Sequence, residues 1–66
     1  MNGAVVRIVV VDDHPVVRDG IRGMLERDDR VAVVGEAAGG REAVAQVRAT
    51  DPDLVLMDLR MPDGDG

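Results

Sequence analysis

The chain has 66 residues and a formal net charge of −5, carried by 13 acidic residues against eight arginines and no lysine. It holds no cysteine and no aromatic residue. These facts exclude a disulfide framework and a thiolate zinc site, base stacking on single strands and the basic stripe of a nucleic-acid binder, and they leave a core of Val, Leu, Ile, Met and Ala.

No apolar run approaches the roughly 20 residues of a membrane span. The N-terminus lacks the pattern of a signal peptide, and a cytoplasmic location is expected. So short a chain supports one small domain with a marginal core. Self-association, or a further piece of chain, is expected on that ground.

Val5 to Val11 is a β-branched run broken only by Arg7, which suits the edge or end of a sheet. Near-continuous apolarity is the pattern of a strand buried on both faces. Asp12-Asp13-His14 ends it. Pro15 fits the first turn of a helix, with Asp13 or His14 as its cap. From Val16 to about Arg27, Val17, Ile21, Met24 and Leu25 form one helical stripe. Gly20 and Gly23 each weaken that helix by up to about 1 kcal/mol relative to Ala. Asp28-Asp29-Arg30 is a turn.

Val31 to Val34 is a second strand, which Gly35-Glu36-Ala37 continues or ends. Ala38-Gly39-Gly40 is a loop before a second helix, Arg41 to Ala49, with a narrow apolar face of Ala43, Val44 and Val47. Thr50-Asp51-Pro52-Asp53 stops that helix, because the residue before a proline avoids the helical region. Leu54 to Met57 is a third strand closed by Asp58. Pro62 to Gly66 is turn chemistry. Met24 and Met57 are expected in the core, and the scattered arginines on a solvated surface.

The alternation β-α-β-α-β predicts an α/β fold with a parallel sheet. With strand order 2-1-3, one helix covers each face. The carboxyl ends of the first and third strands then become neighbours at the switch point where open α/β sheets bind ligands. Asp12, Asp13 and Asp58 converge there. Carboxylates so close repel one another unless a cation neutralises them. Oxygen ligands with room for water suit Mg²⁺ better than zinc. One carboxylate can then attack phosphorus and form an aspartyl phosphate. Any one of these acids alone reads equally well as a cap or loop residue; two strands that end in acid favour the pocket.

Val9-Val10-Val11-Asp12-Asp13-His14-Pro15-Val16-Val17-Arg18-Asp19-Gly20 and Pro52-Asp53-Leu54-Val55-Leu56-Met57-Asp58-Leu59-Arg60-Met61-Pro62 resemble the receiver domain of two-component response regulators. The Asp-Asp-His-Pro form, with Val33-Val34-Gly35-Glu36-Ala37 and Gly40-Arg41-Glu42-Ala43, resembles the subfamily whose output is a helix-turn-helix DNA-binding domain. The resemblance implies a flavodoxin-like fold and covers nearly the whole chain. It implies that Asp58 is the phosphoacceptor, that Asp12, Asp13, Asp58 and the backbone carbonyl of Arg60 hold Mg²⁺, and that a sensor histidine kinase is the phosphodonor. His14 is accessory.

A receiver of this family has five strands and five helices, with a Thr or Ser after its fourth strand and a Lys after its fifth. Residues 1–66 correspond to the first half, a partial receiver domain without those elements or the output domain. Phosphotransfer is expected to be impaired, in a protein that is not itself an enzyme. The third strand, apolar on both faces, is then left at an open edge, a template for pairing with another chain. A homo-oligomer through that strand is expected, with no direct nucleic-acid or membrane binding by this segment. Two alternatives follow: a self-associating interaction module that works without Asp58, and a phosphatase with an Asp nucleophile. The phosphatase is disfavoured because Arg60 stands where its acid/base Asp would fall. Asp63-Gly64-Asp65-Gly66 lacks the spacing of a calcium loop.

Overall fold

Parallel strands need long crossovers, and the two helical patterns between the three apolar runs supply them. A computed structural model of the chain describes residues 4–57. Its elements are β1 (Val6–Val11), α1 (Pro15–Leu25), β2 (Val31–Ala37), α2 (Gly40–Thr50) and β3 (Leu54–Met57). The sheet is parallel in the order β2-β1-β3. This is the expected architecture, with small shifts at element ends; of the two options for Gly35-Glu36-Ala37, these residues continue β2 through Ala37.

β1 is the centre of the molecule. Val9 and Val10 are 0% exposed and Val11 is 1% exposed. Val9 and Val11 pack with Ala37 and with Ala43 of α2, flanked by Val34. The small side chain of Ala43 lets α2 lie close on the sheet. Alternation along the strand turns Ile8 and Val10 to the other face, where α1 crosses β1 and β2.

An irregularity in β2 decides where its one acid goes. Ile8 pairs with Val33, but Val9 pairs with Gly35, so Val34 is an extra residue opposite no partner. Such a bulge reverses the facing of everything after it. Gly35 therefore lies on the α2 side, where an added Cβ would collide with the Gln46 side chain. Glu36, paired with Val10, turns to α1. Without the bulge Glu36 would pair with Val11 and enter the apolar α2 face. Instead Arg18 Nε reaches its Oε1 at 3.1 Å and Arg22 Nη1 its Oε2 at 3.0 Å. Glu36, and then Asp19, hold the Arg22 guanidinium above its usual pKa. These two arginines are not the plain solvated surface that the sequence suggests.

α1 begins as expected at Pro15, with His14 as its N-cap, but no side chain caps it. None of its residues is fully buried. Met24 is 63% and Met57 45% exposed, against the expectation that both are core. For Met57 the reason is placement: α1 and α2 lie over β1 and β2, and β3 extends beyond them.

α2 ends at Asp51 in the left-handed region (φ 50°), whose N–H donates to Val47 O at 2.8 Å. The next turn is pinned to the start of β1. The Arg7 N–H donates to Asp53 Oδ2 at 2.9 Å, the Asp53 N–H to Arg7 O at 2.8 Å, and Arg7 Nη1 to Asp51 O at 2.9 Å. β3 thus enters the sheet in register, Ile8 beside Leu54 and Val11 beside Met57.

Candidate functional site

The four apolar residues that end β1 bury that strand, and the chain leaves it at the carboxyl edge of the sheet as Asp12-Asp13-His14. Asp12 is only 2% exposed, the one polar residue in the buried class among the described residues. Burying a charged side chain is costly unless its polar atoms are met; Asp12 is held from three directions, twice through its backbone and once through its carboxylate. Its N–H donates to Ala37 O at 3.0 Å, extending the β1–β2 ladder by one bond. Its Oδ1 accepts the His14 N–H at 2.8 Å. Its carbonyl oxygen accepts Arg18 Nη1 at 2.9 Å.

Asp13 is the opposite case. Among the described residues its Oδ1 is buried and accepts no hydrogen bond. His14 Nδ1 lies 2.8 Å from that oxygen and 3.4 Å from Asp12 Oδ1. The contact with Asp13 is close, but it lacks the geometry of a hydrogen bond. The imidazole itself is 66% exposed. Asp12, Asp13 and His14 each offer a ligand atom, and these atoms all lie within 4.8 Å of one another. A buried carboxylate oxygen without a donor, beside a second carboxylate, is what a hard cation satisfies. The two carboxylates of this set fit Mg²⁺; the imidazole does not belong to such a donor set.

The structure brings Asp12 and Asp13 together as expected, with His14 beside them. Asp58 and Arg60 lie outside the described residues. The described ladder ends with Val11 beside Met57; the next residue after Val11 is Asp12, and the next after Met57 is Asp58. Arg18 is the contributor the sequence reading did not single out. Its signal was present: Arg18 and Arg22 are four apart on one helix, and Glu36 interrupts an otherwise apolar strand.

On the α2 side of β3, Val55 and Met57 with Gly40, Ala43, Val44, Val47 and Arg48 line a largely apolar groove of about 490 Å³. It lies on one face of the sheet, apart from the acids.

A parallel sheet in this order, covered by a helix on each face and carrying a buried acid and a half-buried one at the end of its central strand, defines a flavodoxin-like α/β domain with an acidic switch point. Within that class the particular family is clear: the chain belongs to the response regulator receiver domain family, whose model matches residues 8–66. An uncharacterized transcriptional regulatory protein of Bacillus subtilis, YhcZ, is 55% identical over 60 residues, which are 91% of this chain and 28% of that protein. The signal receiver domain of the putative response regulator NarL from Mycobacterium tuberculosis superposes with a TM-score of 0.83 at 46% identity, covering 89% of this chain and 48% of that one. A LuxR-family two-component response regulator from Aurantimonas sp. SI85-9A1 gives a TM-score of 0.82 at 51% identity, over 89% of this chain and 42% of that one. The chain thus spans a little over a quarter of that curated relative and under half of either solved chain.

Proposed function

We propose that residues 1–66 are part of a receiver domain that accepts a phosphoryl group on Asp58 from the phosphohistidine of a sensor histidine kinase. The observation that carries this reading is the buried, donor-less Oδ1 of Asp13 beside the sealed Asp12 carboxylate. Asp12 and Asp13, with Asp58 and the Arg60 carbonyl, would hold Mg²⁺. When bound, that ion offsets charge on the phosphoryl oxygens during transfer.

The chain's own residues do the rest. The Asp58 carboxylate forms the new O–P bond as the P–N bond of the phosphohistidine breaks. β1 presents Asp12 and Asp13 at the carboxyl edge of the sheet, and Asp58 is the next residue in sequence after β3. His14 contributes a polar rim beside the two carboxylates. In this reading Asp58 is the group modified and the kinase is the catalyst, so the segment is not an enzyme. It acts in the cytoplasm, where an ATP-fed kinase is its donor, and it does not itself contact nucleic acid.

The test is incubation with Mg²⁺ and a small acyl phosphate, followed by intact mass. One added phosphoryl group that is absent in Asp58→Asn supports the reading. An adduct that persists in Asp58→Asn contradicts the assignment of the acceptor.

A second reading rests on β3. Leu54, Val55, Leu56 and Met57 are 50%, 37%, 40% and 45% exposed, and among the described residues β3 pairs with β1 alone. An apolar strand with a free edge is a template for another copy of the chain. Association that survives Asp58→Asn but is lost on placing a charge at Leu56 would identify an assembly role independent of phosphotransfer.

A further inference from the structure

The two acids at the end of β1 differ in how they are held. Asp12 is fixed through its N–H, its carbonyl and its carboxylate. Among the described residues the Asp13 carboxylate has no hydrogen-bond donor at its buried Oδ1, which leaves the backbone to set its direction. The Asp12 carbonyl belongs to the same planar peptide unit as the Asp13 nitrogen and Cα. A donor that fixes that oxygen therefore fixes the plane from which the Asp13 Cα–Cβ bond departs. The donor is Arg18 Nη1, at 2.9 Å and partly buried.

Arg18 is itself held. Its backbone N–H donates to His14 O in the first turn of α1. Its Nε donates to Glu36 Oε1 at 3.1 Å, and Glu36 is gripped at its other oxygen by Arg22. The guanidinium thus spans β2, α1 and the acid turn, a task for a planar fork rather than a point charge.

We infer that Arg18 is a positioning residue for the metal site: by holding the Asp12 carbonyl it aims the Asp13 carboxylate at the ion. This rests on the metal reading above. Arg18 does not touch the ion, and its own charge opposes cation binding. The two effects have opposite signs, which makes the inference testable. Removing a nearby positive charge alone tightens Mg²⁺ binding. Removing a positioning bond weakens it, by about tenfold or more if it behaves as outer-shell partners of metal ligands do.

The experiment is a calorimetric Mg²⁺ titration of the wild-type protein and of Arg18→Ala, Arg18→Lys and Arg22→Ala, with circular dichroism to verify folding. Arg18→Ala is expected to bind Mg²⁺ about tenfold more weakly. Arg22→Ala is the control: it loosens Glu36 but leaves the Asp12 carbonyl contact intact, and its affinity is expected to stay within about twofold of wild type. Arg18→Lys keeps the charge but not the fork, and weaker binding is again expected. If Arg18→Ala does not fold, Arg18→Lys gives the reading. Wild-type affinity or tighter in the folded Arg18 variants would overturn the inference and leave the metal site standing. A wild-type protein that binds no Mg²⁺ would instead overturn the metal reading itself.

Discussion

β1 and β3 are made of the same kinds of residue, lie side by side in parallel register, and each runs on to an aspartate. Val10 of β1 is 0% exposed, and its register partner Leu56 of β3 is 40% exposed. Composition does not separate them; coverage does. β1 has a strand on each side and a helix over each face. Among the described residues β3 has one strand beside it, and both helices lie chiefly over β1 and β2. Folding free energy is therefore concentrated in β1, which also carries the proposed metal acids. β3, which leads to the proposed acceptor, adds little to stability and can be altered at low cost to the fold.

The sharpest way to break this contrast is one substitution made in the same sheet row twice. Val10→Asp leaves an unpaired charge in the sealed centre and should cost about 3–5 kcal/mol, enough to unfold so small a domain. Leu56→Asp should cost about 1 kcal/mol or less, and should shift any assembly toward monomer. Urea unfolding followed by circular dichroism, with sedimentation for the second variant, measures both. Equal losses would show that β3 is as much core as β1.

A smaller effect is expected where α2 meets the sheet. Ala43 is 5% exposed against Val9 and Val11. Ala43→Leu must push the helix away, at about 1–3 kcal/mol. Val44→Leu, on the 53% exposed neighbour, should be near neutral. A neutral Ala43→Leu would mean that the α2–β1 contact is not the tight one.

The Glu36 clamp comes next. Its carboxylate is 30% exposed and its two arginine partners 21% and 41%, so solvent screens it. Glu36→Gln should lower stability by about 1 kcal/mol, less at high salt. A salt-independent loss would point to packing rather than charge.

The smallest effect lies in the turn between α1 and β2. The side-chain and backbone hydrogen bonds from Arg30 hold the Asp28 carboxyl below its usual value. A depressed carboxyl contributes stability that is present above its unfolded value, near 3.8, and is lost as pH falls through the lower folded value. The pair is solvent-exposed, so Asp28→Asn should only slightly flatten the acid limb of the stability curve. A steeper acid limb would reverse the sign of that contribution.

Much of the fold was legible because hydrophobic period and turn chemistry are local. Strand runs, the Pro15 helix start and the Pro52 stop fixed the element order, and the two-helix alternation fixed a parallel sheet. Asp12 and Asp13 were legible because they interrupt an apolar strand with charge. Burial was less so: Met24 and Met57 have core chemistry, but their exposure depends on where the helices lie over the sheet. Least legible was Glu36. Its facing depends on one extra residue, Val34, in the β1–β2 ladder, and pairing register is a property of two strands together. Arg18 follows from it, since its link to the Asp12 carbonyl has meaning only once Glu36 faces α1.

The central claim is that the end of β1 is a metal site completed by Asp13. The direct measurement is a Mg²⁺ titration of wild-type protein, Asp13→Asn and Asp29→Asn. Both variants remove one negative charge, but Asp29 lies in the turn at the opposite end of the sheet. The account predicts that Asp13→Asn weakens Mg²⁺ binding by more than about tenfold, while Asp29→Asn stays close to wild type. Equal affinities in the two variants would mean that the acids act only through net charge, and would contradict the site.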